Sequence, residues 1–141
     1  MPKLFNRADC LAAKLPHVDV LVPEMGEDVA VRIVQMSVNT RSTYLERIRL
    51  HRQEINAYDD DQDKPEDERK GLAHPPELDT AVLSIVMSAV DEDGERLFTD
   101  ADMPMFETWS SNAVTRLYEA VLSINDYRRW AVEAVELEKK G

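Results

Sequence analysis

The sequence predicts an α+β fold, mostly helical, in which an N-terminal β-hairpin packs against about five helices and an acidic stretch stays a disordered loop. Three observations predict it. Apolar residues alternate with a period of two between residues 18 and 33, and helical spacings of three and four recur on either side. Residues 56–77 carry eight acids against three bases, three prolines, one glycine and a single large aliphatic residue, Leu72, too little apolar surface to offset the entropy of ordering them. At 141 residues the chain is read as one domain, 1–141, with 56–77 as a flexible acidic insert.

The lead segment 6–15 sets Ala8, Leu11, Ala12 and Leu15 on one helical face and is stopped by Pro16. Val18, Val20 and Val22, then Val29, Val31 and Ile33, form two strands. Pro23 and Gly26 between them reverse the chain, since Pro23 lacks a ladder donor and Gly26 tolerates positive φ. Such a hairpin is marginal alone and needs helices over its apolar face.

A helix over 41–55, capped by Asn39 or Thr40, carries Tyr44, Leu45, Ile48 and Ile55 on one side. Thr43 and Glu46 form an alternative capping box, and Arg41, Arg47 and Arg49, with Arg52 near the seam, are expected on a solvated basic face. After the acidic insert, Asp79 caps 80–90, which is apolar on nearly every azimuth and therefore buried. Its β-branched content also suits a central strand; the cap and the length favour helix. The run Asp91-Glu92-Asp93-Gly94 is a polar turn, with Gly94 too early for a calcium loop.

Thr99 and Asp102 form a start signal for a helix running from near Asp102 through Met105, Phe106 and Trp109, because Pro104 fits only a first turn. Ser110 or Ser111 caps the clearest amphipathic stretch, where Val114, Leu117, Tyr118, Val121 and Leu122 follow the i, i+3, i+4, i+7, i+8 rule to an end near Asn125. A last helix from Asp126 sets Tyr127, Trp130, Ala131, Ala134 and Val135 at spacings of three or four, with Lys139 and Lys140 near its negative end.

Composition narrows the function. With 17 Lys and Arg against 28 Asp and Glu, the net charge of −11 disfavours nucleic-acid binding, which needs a positive field. No apolar run approaches the ~20 residues of a membrane span, and Lys14 and Pro16 interrupt anything resembling a secretory signal, so a soluble protein is expected. The lone Cys10 excludes an internal disulfide and is expected as a small buried hydrophobe on the Ala8/Leu11 side of its helix.

The four glycines are too scattered for a phosphate cradle, and His17, His51 and His74 form no ligand set. The acids Asp59, Asp60, Asp61 and Asp63 lack the glycine and terminal glutamate of a calcium loop. No nucleophile motif is present, so no catalytic residue, metal site or cofactor is expected and the chain reads as a non-enzyme.

The order of parts carries a resemblance: Leu15-Pro16, the strand Val18-Asp19-Val20-Leu21-Val22-Pro23-Glu24 with Gly26, the strand Val29-Ala30-Val31-Arg32, the helix 41–55, the run from Ser88 through Asp91-Glu92-Asp93-Gly94 to Leu97-Phe98-Thr99-Asp100, and the helix 111–125. Together these resemble the tail assembly chaperones of long-tailed, siphovirus-type bacteriophages and prophages, in order over nearly the whole chain. The 56–77 insert is longer than that pattern expects, and Met25 stands where an aromatic is common.

The resemblance implies an α+β fold and a non-enzymatic role. Such proteins bind the tape measure protein, keep it soluble, help bring major tail tube protein subunits to it, and are absent from the finished virion. They act in the cytoplasm of the infected or lysogenic host and often have a longer frameshifted product. The resemblance supplies no residue set. The residues themselves suggest Val114, Leu117, Tyr118, Val121 and Leu122, with Tyr127 and Trp130, as the partner-binding surface. Apolar helix faces also make a homo-oligomer an expectation. The rival reading is an acidic binding protein, a nucleic-acid mimic or inhibitor of a host protein, which would need its acids fixed in a regular array.

Overall fold

The computed structural model describes residues 2–126. Strand β1 (His17–Leu21) and strand β2 (Ala30–Val34) form the expected antiparallel hairpin, with Val20 opposite Val31 and Val18 opposite Ile33. Because side chains alternate between faces, Val20, Val31 and Ile33 point together into the core, while Asp19 and Arg32 meet on the outer face at 2.7 Å. The turn contains a short 3-10 segment, Pro23–Met25, closed by the Gly26 N–H donating to the Pro23 carbonyl at 3.2 Å. At Gly26 φ is +147°, and a Cβ there would meet Val29 Cγ2 at 3.0 Å, so the turn needs glycine.

Helix α1 (Arg7–Ala12) has a capping box in which Asn6 and Asp9 exchange hydrogen bonds. None of its residues is buried, and Leu11 is 72% exposed. The expectation of a buried Cys10 is thereby corrected: Cys10 is exposed, on a short helix that buries no residue among the described residues.

Helix α2 (Val38–Gln62) is longer at both ends than its sequence pattern suggests. Its cap is Ser37, whose hydroxyl accepts the Thr40 N–H at 3.0 Å, in place of Asn39 or Thr40. Residues 56–62, expected as the start of the loop, continue the helix. Acidic side chains cost a helix little where they stay solvated, as Asp59 and Asp60 do. Asp61 alone points inward, at 2% exposure, and accepts three backbone N–H groups: Lys70 at 2.7 Å, Gly71 at 3.1 Å and Leu72 at 3.1 Å. These hold its carboxyl below the usual aspartate range.

The chain then returns alongside α2. The Tyr58 and His74 rings meet edge to face at 4.8 Å, a His51 ring nitrogen lies 2.8 Å from the Pro76 carbonyl, and the Tyr44 hydroxyl donates to the Thr80 carbonyl at 3.4 Å. Tyr44, His51 and Tyr58, which make these contacts, share one stripe of α2 with the half-buried Ile48 and Ile55, whereas Leu45 faces outward.

Asp79 caps helix α3 (Thr80–Ser88) as expected, accepting the Val82 N–H at 3.1 Å. This helix is the buried spine of the molecule, with Leu83, Ile85 and Val86 fully enclosed. It stops two residues short of the expected end: Ala89–Val90 become strand β3 and pair with Arg32 and Ile33 of β2, giving a sheet of order β1-β2-β3. No stop signal in the sequence marks the change, so sheet pairing overrides helix propensity there. The turn 91–94 follows as predicted, with Gly94 at φ +84° and the Asp91 carboxylate accepting the Asp93 and Glu95 N–H groups.

The Thr99–Asp102 capping box forms, but the segment that it opens, Asp100–Thr108, is a 3-10 helix with Pro104 inside. Ser110 then caps helix α4 (Ser111–Asn125), which ends at Asp126 in the left-handed region, φ 56°. Leu117 and Val121 of α4 complete the core against the sheet and α3. Asn125, buried at the end of α4, accepts the Met36 N–H at 2.9 Å and donates to the Val121 carbonyl at 2.8 Å, tying α4 to the exit of β2. The helix expected from Asp126 onward lies outside the described residues beyond Asp126 itself.

A candidate docking cleft beside helix α4

The sheet and α3 leave one side of the 3-10 segment open, and there a cleft of about 750 Å3 lies between α2, residues 76–79, α3, the 3-10 segment and the first turns of α4. Its apolar wall comprises Leu50, Val82, Met103, Phe106, Trp109 and Val114. Phe106 is buried and anchors an aromatic cluster with Phe98 at 5.1 Å and Trp109 at 4.3 Å between ring centres. Pro104 shapes this wall: it disfavours a regular α-helix, and the tighter 3-10 turn carries Met103, Phe106 and Trp109 into the cleft.

The rim is acidic. Glu54, Glu77, Asp79, Asp100 and Glu107 line it against one arginine, Arg47. Arg47 is not on a free solvated face as expected but meets Asp100 at 2.9 Å, and Arg49 pairs with Glu46, which therefore does not serve a Thr43 capping box. Apolar walls with an acidic rim suit an amphipathic segment carrying lysine or arginine.

Several of the polar groups are engaged structurally: Asp79 caps α3, His51 contacts the Pro76 carbonyl and Asp100 pairs with Arg47. Among the described residues no group of three or more His, Cys, Asp or Glu side chains could hold a metal ion, and no helix is long and apolar enough to cross a membrane.

The candidate partner-binding residues divide. Val114 lines the cleft. Leu117 and Val121 are at 0% exposure and belong to the core of the chain itself. Tyr118 is half-buried against that core, and half-buried Leu122 borders a smaller hollow with Glu119, Ser123 and Asp126. Tyr127 and Trp130 lie outside the described residues. The amphipathic rule found the helix but could not separate its core-facing edge from the edge beside the cleft. Sequence reasoning missed Met103, Phe106 and Trp109 as a wall; the signal was the capping box followed by Pro104 and aromatics, read there as one more helix.

A second polar contact ties the hairpin turn to α4. Arg116 donates to both carboxylate oxygens of Glu24, at 2.6 Å and 2.7 Å, and this hydrogen-bonded guanidinium lowers the carboxyl pKa of Glu24. Glu24 closes the Val22-Pro23-Glu24 strand end of the sequence resemblance, and Arg116 lies on the helix that also carries it.

No protein-family model matches the chain, and no curated protein matches it. Among solved structures, the chain is similar in fold to the tail assembly chaperone of bacteriophage HK97, with 16% identity over 81% of this chain and 88% of that one and a TM-score of 0.44.

Proposed function

We propose that this chain is a non-enzymatic phage tail assembly chaperone that binds the tape measure protein, keeps it soluble and helps bring tail tube subunits to it, acting in the host cytoplasm and leaving before the virion is complete. The observation that carries the reading is the resemblance in residue order over nearly the whole chain, including Val22-Pro23-Glu24 and Asp91-Glu92-Asp93-Gly94. The cleft supports it physically. A chaperone for a long helical client needs an apolar surface ringed by charge that keeps the complex in solution, and here the cleft supplies the first and a net charge of −11 the second.

On this reading the client-facing residues are Val114, Tyr118 and Leu122 with Trp109 and Met103, while Leu117 and Val121 hold the helix in place. The exposed Leu11 and Leu21 suit self-association during assembly.

The test is co-expression with the tape measure protein of the same genome. The tape measure protein is expected in the soluble fraction only when this chain is present. An indifferent tape measure protein refutes the reading and favours the acidic-inhibitor alternative.

A further inference from the structure

Residues 2–16 form an arm that leads into β1, and none of them is buried. Leu4 is 90% exposed, Phe5 59% and Leu11 72%, so large apolar side chains stand in solvent along one short stretch. Exposed apolar groups gathered in this way mark a contact surface. The arm is also basic: Lys3, Arg7 and Lys14 stand against the single acid Asp9, in a chain whose net charge is −11. On α1, Arg7 and Leu11 are four residues apart and share a face, which presents positive charge beside a large apolar group.

The cleft has the converse surface. Arg47, Leu50, His51 and Glu54 line it as one stripe of α2, at spacings of three and four. Arg47 pairs with Asp100, and Asp79 caps α3. Glu54, Glu77 and Glu107 are exposed and make no ion pair among the described residues, so their carboxylates stand uncompensated around the apolar wall. From Arg47 to Glu54 helix α2 rises about 10 Å, and the six residues of α1 span about 9 Å, both at roughly 1.5 Å per residue.

We propose that the arm of one chain docks into the cleft of a second copy. Its apolar side chains lie against Met103, Trp109 and Val114, and Lys3, Arg7 and Lys14 face Glu54, Glu77 and Glu107. Two chains of this net charge repel each other, and contact is favoured where the basic arm of one meets the acidic rim of the other. Arm and cleft are different surfaces, so the contact is head-to-tail and each added copy offers an arm or a cleft to the next. The contact stands apart from the chaperone role.

Charge reversal in the full chain tests it. One variant carries Lys3→Glu, Arg7→Glu and Lys14→Glu; the other carries Glu54→Lys, Glu77→Lys and Glu107→Lys. All of these positions are exposed, so both variants are expected to fold, which circular dichroism checks. In sedimentation velocity the natural chain should associate as its concentration rises, and each variant alone should associate at least tenfold more weakly. An equimolar mixture of the two variants should associate again, because each arm then meets a cleft of opposite charge. A natural chain that stays monomeric to about 1 mM, a variant that associates as the natural chain does, or a mixture that does not recover overturns the proposal.

Disulfide trapping locates the contact without charge changes, since Cys10 lies on the arm and is exposed. The natural chain is mixed under mild oxidation with a chain carrying Cys10→Ser and Thr115→Cys, Thr115 being a cleft residue. The control carries Cys10→Ser and Ser123→Cys, near the other end of α4. The 10–115 heterodimer should form at least tenfold faster than the 10–123 heterodimer, and equal rates or the opposite order overturn the proposal. On the chaperone reading, a client that enters the cleft displaces the arm and slows this trapping. An unchanged rate with client bound refutes that displacement and leaves both the arm contact and the chaperone reading standing.

Discussion

Leu117 and Leu122 are neighbours on α4 with opposite assignments, and truncating each in turn separates core from docking surface. Leu117 is fully enclosed among the sheet, α3 and α4. Leu117→Ala removes three buried carbons, roughly 2.4 kcal/mol at about 0.8 kcal/mol each, and the cavity left behind raises the loss to about 3–4 kcal/mol. For a chain of this size that lowers Tm by about 10–15 °C. Leu122 is half-buried and lies outside the core cluster, so Leu122→Ala should cost less than about 1 kcal/mol.

Urea titrations followed by circular dichroism measure both, read as midpoint changes at constant slope. Client solubilisation, scored at a temperature where both variants are folded, should fall for Leu122→Ala and persist for Leu117→Ala. The assignment is refuted if Leu117→Ala costs under about 1 kcal/mol while abolishing client binding.

Other consequences follow from single contacts. The Glu24 carboxyl should titrate below 4.5 by carbon-detected NMR and return toward it in Arg116→Ala. Because the folded state depresses this pKa, the contribution of the pair is present above about 4.5 and is lost as pH falls through the folded value. Asp61→Ala should speed amide exchange at Lys70, Gly71 and Leu72 at least tenfold while leaving α4 amides unchanged; uniform change across the chain would contradict a local tie. Gly26→Ala should cost about 1–2 kcal/mol in a thermal melt, from its positive φ and the Val29 contact. Among the described residues the buried Ser88 hydroxyl has no hydrogen-bond partner, so Ser88→Ala should be neutral or stabilising by up to about 1 kcal/mol, and a marked loss would contradict this.

Much of this fold is legible from periodicity because its elements obey one local rule each. The period-two run predicts the hairpin and most of its inward face, on which Val20, Val22, Val31 and Ile33 are buried while Val18 and Val29 of the same run stay exposed, and Asp79, Thr99 and Ser110 are caps of the residue types that caps require. Illegible features are those decided by distant partners. Ala89 and Val90 leave the helix to pair with β2, and Asp61 bends inward for three amides nine to eleven residues on. The cleft was hidden for the same reason: Trp109 and Val114 carry ordinary amphipathic spacing, and only the 3-10 turn around Pro104 places them beside Leu50 of a helix that lies far away in sequence.

The central claim is that this chain keeps a tape measure protein in solution through direct contact. The measurement that meets it most directly is light scattering as denatured tape measure protein is diluted into buffer containing increasing amounts of this chain. Scattering should fall to baseline near a fixed stoichiometry, with the two proteins then eluting together from a sizing column. Scattering unaffected by a large molar excess of folded chain would contradict the account.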